Sequence, residues 1–438
     1  MQAEYTIESR RARHQAEIMQ DIVRQVIQAV DQRAAADKTL SDLFRKHREY
    51  GSRDRRLYSN AVFAWFRWRG WLQPLSEMDF AGACALAWLL SYQRFPDAIK
   101  WLCRERKWPL PEPADAYAAA SLEEKAHVLQ QHFGIQEDLS AALLAPDWVP
   151  TMLHAPRETY REILFARFID AIQQRPPSWL RAPAAIRAGL PERLASAGYR
   201  TTFSQCLDTA FFLSKPFHLP RLRKEAGGPV EIQDLASQCV THIAQPQPGQ
   251  CWWDVCAGAG GKTLHLADAI QHKGRIAATD HRSRMLTKLQ QRLQGNDRNI
   301  VHLQCLDARH EVPEQTHFDG VLIDAPCSGI GTWPRNPDMR WRTHANSIME
   351  LVPVQQQIMH CAASAVHKGG RLIYAVCTVT QAETMDVVAQ FLETHPDFSL
   401  APVLHPLTNE QTDGCVWIWP WMNCNGMFIA NFIRDHMA

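Results

Sequence analysis

No run of apolar residues in this sequence approaches the length needed to span a bilayer, and the opening M-Q-A-E-Y-T-I-E-S-R-R-A-R has no apolar signal core. Both absences lead to the expectation of a soluble, cytoplasmic protein with no membrane partner. No C-x-x-C pair occurs among the 12 cysteines, whose irregular spacing fits neither a disulfide framework nor a zinc site. Reduced thiols and no metal are expected. A charge imbalance is missing as well: 47 Lys and Arg stand against 46 Asp and Glu, so net charge gives no polyanion signal. Internal repeats and low-complexity tracts are also absent.

With 438 residues, the chain is long enough for two or three domains. Up to about residue 140, apolar residues recur at helical spacing, as in I-M-Q-D-I-V-R-Q-V-I-Q-A-V, which predicts an all-helical domain. Its charge is uneven. Residues 1–110 hold 19 Lys and Arg against 13 Asp and Glu. The densest part, Arg45 to Arg56, is followed by W-F-R-W-R-G-W. Cations interleaved with aromatics are what a nucleic-acid face needs, although the same pattern suits a solvated helix beside core tryptophans. Residues 141–230 are rich in Pro and Gly punctuation and read as a small connecting domain.

From residue 231 the pattern becomes short apolar runs alternating with helix-length segments. W-W-D-V-C, R-I-A-A-T-D, I-V-H-L-Q-C-L-D, F-D-G-V-L-I-D and R-L-I-Y-A-V-C read as strands of βαβ units, which predicts a doubly wound parallel sheet. C-V-W-I-W-P and G-M-F-I-A-N-F could close it as a hairpin. The first strand runs into C-A-G-A-G-G-K-T, a glycine turn that lets backbone N–H groups approach a charged cofactor. It is not a Walker loop, because the position of that motif's first glycine is Cys256. Asp280, about twenty residues after the loop, stands where an acid holds ribose hydroxyls. Asp307 and Asp324 are expected at the ends of the next two strands; ordinary caps at strand ends are the plainer alternative.

Cys327 in D-A-P-C-S-G and Cys377 in Y-A-V-C-T-V are expected at consecutive strand ends, so sheet order can bring both thiols to one rim. A single cysteine is more often packing than chemistry. Two at one rim suit pyrimidine carbon-5 chemistry: a thiolate adding to carbon 6 makes carbon 5 nucleophilic, and a second group then removes the carbon-5 proton. A carboxylic acid at the ring nitrogen would stabilise the charge that develops.

The motifs Q-D-L-A-S-Q, C-A-G-A-G-G-K-T, D-A-P-C-S-G-I-G, R-N-P-D-M-R-W and Y-A-V-C-T-V-T with Glu383 after it, in that order, resemble the Sun-type family of RNA cytosine-5 methyltransferases, and within it the members that modify small-subunit ribosomal RNA. The resemblance runs from about Gln233 to residue 438, and the catalytic domain is placed at 231–438. It implies an α/β, Rossmann-like S-adenosylmethionine-dependent methyltransferase domain over that range, preceded by a helical NusB-like RNA-binding domain at 1–140. It further implies S-adenosylmethionine as cofactor, 16S-type ribosomal RNA as partner, and a monomeric enzyme. Carried over by motif, Cys377 is the nucleophile, Cys327 assists release and Asp324 lies between cofactor and cytosine. Cys256, Ala257, Gly258, Ala259, Gly260, Gly261 and Lys262 line the methionine part of the cofactor, with Asp280 on ribose and Asp307 near adenine. An RNA-binding assembly factor with weak or no activity is the alternative; a DNA methyltransferase is disfavoured, because its attacking cysteine is the one after proline. The chain departs from the family pattern at Ala257-Gly258-Ala259 (usually Ala-Ala-Pro), Val376 (usually Thr) and Asn425-Gly426-Met427-Phe428 (usually Asp-Gly-Phe-Phe).

Overall fold

The computed structural model describes residues 2–314 and 317–436, the side chains of residues 2–8 excepted. The chain forms two compact units, one made of residues up to Thr151, Ala155–Arg175 and Trp333–His344, the other of Met152–His154, Pro176–Thr332 and the residues from Ala345 on.

The first unit is helical, with no strand among its described residues. Helix Ser52–Met78 starts where the Asp54 carboxylate accepts the Gly51 N–H, 3.3 Å. Helix Phe80–Ser91 is apolar on every side and accordingly buried, its first turn capped by Asp79, which accepts from the Gly82 N–H at 2.9 Å. The aromatics of W-F-R-W-R-G-W are core: Trp65, Phe66, Trp68 and Trp71 are all buried, so they offer no surface for stacking bases. Even Arg67 is buried and donates to the Pro334 carbonyl, 2.8 Å. What remains at the surface is charge, carried by Arg45, Lys46, Arg48, Arg53 and Arg56. R-N-P-D-M-R-W also packs within this unit. Arg340 is fully buried and donates to the Ile172 carbonyl at 3.3 Å, and Trp341 Nε1 donates to the Phe66 carbonyl at 2.7 Å.

The second unit contains a small antiparallel sheet in the spatial order Thr201–Phe203, Ala210–Leu213, Trp179–Arg181, Glu231–Ile232. Its larger sheet is built from β1 (Cys251–Asp254), β2 (Arg275–Thr279), β3 (Val301–Gln304), β4 (Phe318–Asp324), β5 (Val366–Val376), β6 (Phe398–Leu400), β7 (Cys415–Ile418) and β8 (Met427–Arg434). The order is β6-β8-β5-β4-β1-β2-β3, with β7 on β8. β1 to β5 are parallel, as the five apolar runs predict. At the other edge the runs C-V-W-I-W-P and G-M-F-I-A-N-F form the expected closing hairpin. β8 follows β7 by a hairpin rather than a crossover helix, so it runs antiparallel to β5 and makes the sheet mixed.

Alternation sends neighbouring side chains to opposite faces, and both faces are covered. Trp252 packs in a cluster with helices α1 (Leu235–Ala244) and α2 (Gly261–Ala269). Trp253 packs in another with α4 (Ala345–Ala363) and α5 (Met385–Thr394). Helix α3 (Ser283–Arg292) joins the first cluster through Leu289. Gly320 of β4 is required by this packing, because a Cβ there would collide with the Trp252 ring. The register aligns Asp254 with Leu322, Asp324 with Ala375 and Val376 with Phe428, which brings the carboxyl ends of β1, β4 and β5 to one rim. Among the described residues no helix is long and apolar enough to cross a membrane.

Candidate active site

A cavity of about 560 Å³ opens beyond the carboxyl ends of β1, β2 and β4, a size suited to one nucleoside-sized ligand. The glycine turn forms its floor. Gly258 and Gly260 have φ of 54° and 85°, the left-handed region that a side chain disfavours. The Ala257 N–H donates to the Thr279 carbonyl (2.8 Å) and the Gly258 N–H to Asp280 Oδ2 (3.0 Å), binding the turn to β2. Cys256, Ala257, Gly258, Ala259, Gly261, Lys262, Asp280, Asp307 and Asp324 all line the cavity. Gly260 does not: it ends the turn under Leu289, whose side chain a Cβ would strike. The loop lacks the usual proline at Ala259, and a side chain holds it instead. Arg292 donates to the Ala259 carbonyl and to Glu231 (2.7 Å), which also accepts from Arg223 at 2.5 Å.

The acids differ in state. Burial acts to raise Asp280, but hydrogen bonds from Arg282 and Gly258 outweigh it and hold the carboxyl below its usual range. Asp307 follows β3 rather than ending it, since the strand stops at Gln304 and Cys305 and Leu306 intervene. The Arg309 guanidinium, 2.5 Å away, holds Asp307 down to about 2. Asp324 ends β4 and pairs with Lys262 Nζ at 2.7 Å. Burial alone would lower Lys262; the charge and hydrogen bond of Asp324, with Cys377 and Asp254 beside it, keep it above its usual value. Burial pushes the Cys256 thiol up, which makes it an inert wall.

Sequence reasoning passed over Asp254. It is completely buried at the end of β1, and its Oδ2 accepts from Thr263 Oγ1 at 2.6 Å while Oδ1 has no hydrogen-bond partner. Burial pushes this carboxyl up to about 7, with Thr263 opposing. The signal was present in W-W-D-V-C, where a charged residue closes an otherwise apolar strand.

The two thiols meet. Cys327, next to the cavity residue Pro326, and Cys377, which follows β5, have their Sγ atoms 3.3 Å apart. The hydrogen bond to Cys377, then burial and the nearby charges, push the Cys327 thiol well above its usual value. Neither sulfur lines the cavity; the Lys262–Asp324 pair lies between, sensing Cys377 on one side and forming cavity wall on the other. Val376, where a Thr is usual, is fully buried against Phe428 and carries no polar group to the pair. Asn425 keeps a link to the site through its N–H, which Asp234 of Q-D-L-A-S-Q accepts at 3.0 Å.

The residues present fit S-adenosylmethionine. Asp254 Oδ1 is an acceptor without a partner, Asp280 is a cavity-wall acid held below its usual range and able to accept from hydroxyls, and Leu306, Leu351, Val354 and Ile358 supply an apolar wall that a purine could use.

Comparison with known proteins agrees with this geometry. The family described as 16S rRNA methyltransferase RsmB/F matches residues 241–433. The ribosomal RNA small subunit methyltransferase B of Serratia proteamaculans is 30% identical over 320 residues, 70% of this chain and 72% of that protein. A probable ribosomal RNA small subunit methyltransferase B of Synechocystis is 38% identical over 208 residues, 46% of each. Against that relative the chain spans about half the length. The solved structure of PH0851 superposes with a TM-score of 0.69 over 95% of this chain and 99% of that one, at 22% identity, a likeness of fold.

Proposed function

Because the chain belongs to the 16S rRNA methyltransferase RsmB/F family, we propose that it transfers a methyl group from S-adenosylmethionine to carbon 5 of a cytosine in small-subunit ribosomal RNA, through a covalent cysteine–cytosine intermediate. The observation that carries this reading is the pair of thiols 3.3 Å apart beside a nucleoside-sized cavity. One thiol suffices for addition; a second beside it is placed to remove the proton at the same ring.

Cys377 adds to carbon 6, and Asp324, paired with Lys262 at 2.7 Å, would pass a proton to the ring nitrogen and so neutralise the negative charge that builds there. The cofactor supplies an electrophilic methyl group for carbon 5. Asp254, Asp280 and the Cys256–Lys262 turn would hold it, with Asp307 toward the adenine. Cys327 keeps its proton while the sulfur beside it is anionic. Once Cys377 is bonded to carbon that charge is gone, and Cys327 can pass its proton to water. Its thiolate then takes the carbon-5 proton as the carbon 6–sulfur bond breaks, which returns the thiolate to Cys377. In this reading the helical unit, NusB-like in role, binds RNA through the exposed Arg45–Arg56 cations.

Incubation with labelled S-adenosylmethionine and small-subunit RNA, followed by bisulfite mapping, is the test. A single protected cytosine that depends on Cys377 is expected. RNA binding without any 5-methylcytosine, on naked RNA and on assembling particles alike, would favour the assembly-factor alternative.

A further inference from the structure

That reaction gives no task to a carboxylate buried beside the thiols. Glu383 is completely buried in the segment between Cys377 and α5. Its Oε1 accepts the Ser328 N–H at 2.7 Å and Gln355 Nε2 at 3.1 Å. Its Oε2 accepts from the hydroxyls of Ser328 (2.6 Å), Thr380 (2.9 Å) and Thr378 (3.0 Å). Burying a carboxylate is costly unless donors surround it, so this arrangement is not a by-product of apolar packing.

The positions of the donors give the role. Ser328 directly follows Cys327, and Thr378 directly follows Cys377; their hydroxyl oxygens are 2.9 Å apart where they converge on Glu383. Gln355, reaching from α4, also donates to the Pro326 carbonyl at 2.9 Å, immediately before Cys327. The far side is tied as well: the Tyr374 hydroxyl of β5 donates to the Glu383 carbonyl at 2.8 Å, and the Gly331 N–H donates to the Cys377 carbonyl at 3.0 Å. The two strand-end loops are thus joined at the residue after each thiol by the Glu383 side chain, alongside the backbone bond from Gly331 to Cys377.

We propose that Glu383 is a positioning residue whose carboxylate clasps the residues following Cys327 and Cys377 and so sets the distance between the two thiols. For its effect on turnover this rests on the methyltransferase reading above; for the thiol spacing it does not. Loosening the clasp leaves Cys377 able to attack but moves Cys327 off the carbon-5 proton, so release slows while binding persists.

The thiol spacing can be measured without RNA. Phenylarsine oxide captures two adjacent thiols together, forming two arsenic–sulfur bonds while the oxide oxygen leaves as water with both thiol protons. The wild-type chain is expected to show a capture that Cys327→Ala lacks. Glu383→Gln, which puts an amide donor among donors, is expected to weaken capture and lower kcat by about tenfold or more, with cofactor affinity and the KM for RNA within about twofold. The covalent protein–RNA species should accumulate. Unchanged capture and kcat would overturn the proposal, as would loss of cofactor affinity in step with capture, the mark of a merely structural role. If Glu383→Gln fails to fold, the double variant Ser328→Ala, Thr378→Val keeps the carboxylate and removes two of its donors; intact capture there overturns the clasp and weakened capture supports it. A wild-type chain that captures the arsenical, loses capture in Glu383→Gln and yet makes no 5-methylcytosine supports the clasp and overturns the methyltransferase reading.

Discussion

At the cofactor mouth Asp254 is completely buried with one oxygen unpartnered, whereas at the thiol rim Glu383, equally buried, has both oxygens occupied by donors. The two carboxylates are equally buried and opposite in condition. An acceptor without a partner is a cost in the free protein that a ligand's N–H or O–H can remove, so the mouth gains from being filled. A carboxylate surrounded by donors gains nothing from a ligand and stiffens what it touches. The mouth is built to receive and the rim to hold geometry.

The largest expected effect tests the rim. Cys377→Ala should bind RNA, form no covalent adduct and give no product, because addition is the first step. Cys327→Ala should attack and methylate, then stay attached as a species that survives denaturing electrophoresis. The adduct appearing in Cys377→Ala instead would reverse the two roles.

The mouth is tested by pH. Asp254 titrates at about 7 in the folded chain, against 3.8 ordinarily, so folding takes up a proton between those values. Stability from this group is therefore highest below pH 4 and declines as pH rises toward 7, by about 1.4 kcal/mol per unit and about 4 kcal/mol in all. Asp254→Asn should remove that slope. Denaturant titrations of both proteins without cofactor at pH 4.5, 5.5, 6.5 and 7.5 measure it, and parallel curves would mean that the carboxyl is not held protonated.

A smaller effect is expected at Asp280, where alanine should weaken S-adenosylmethionine binding by about 1–3 kcal/mol through the removal of charged hydrogen bonds. Calorimetry reads this, and Glu383→Gln should leave the same affinity unchanged if mouth and rim are separate devices. The smallest changes are expected from Arg48→Gln, Arg53→Gln and Arg56→Gln on the helical unit. Each RNA phosphate that no longer meets a guanidinium should flatten the salt dependence of RNA binding by about 0.7–0.9 in slope. A salt slope identical to wild type in the triple variant would take RNA binding away from these cations.

Much of the mouth was legible. The glycine turn, Asp280 and Asp324 stand at strand ends that short apolar runs announce, since β1 to β5 need buried side chains on both faces. Asp307 was placed at a strand end and instead lies beyond it, an error of boundary that leaves it in the cavity wall. The tryptophans between Trp65 and Trp71 fit two readings, because an aromatic beside an arginine is written alike whether it faces water or core. Glu383 could be read only as a motif member, since the threonines at 378 and 380 do not by themselves mark a buried carboxylate and its other donors, Ser328 and Gln355, lie far away along the chain.

By itself the sequence determined the parallel core, the glycine turn, the thiols' places at strand ends and the closing hairpin, all consequences of side-chain period and backbone freedom within a few residues. Only the tertiary structure decided that β8 runs antiparallel to β5, that R-N-P-D-M-R-W packs among helices, that Asp254 is left with an unpartnered oxygen, and that the two sulfurs come to 3.3 Å. These depend on contacts between residues far apart in the chain, and such contacts are chosen by the shape of the whole core rather than by any short stretch of it.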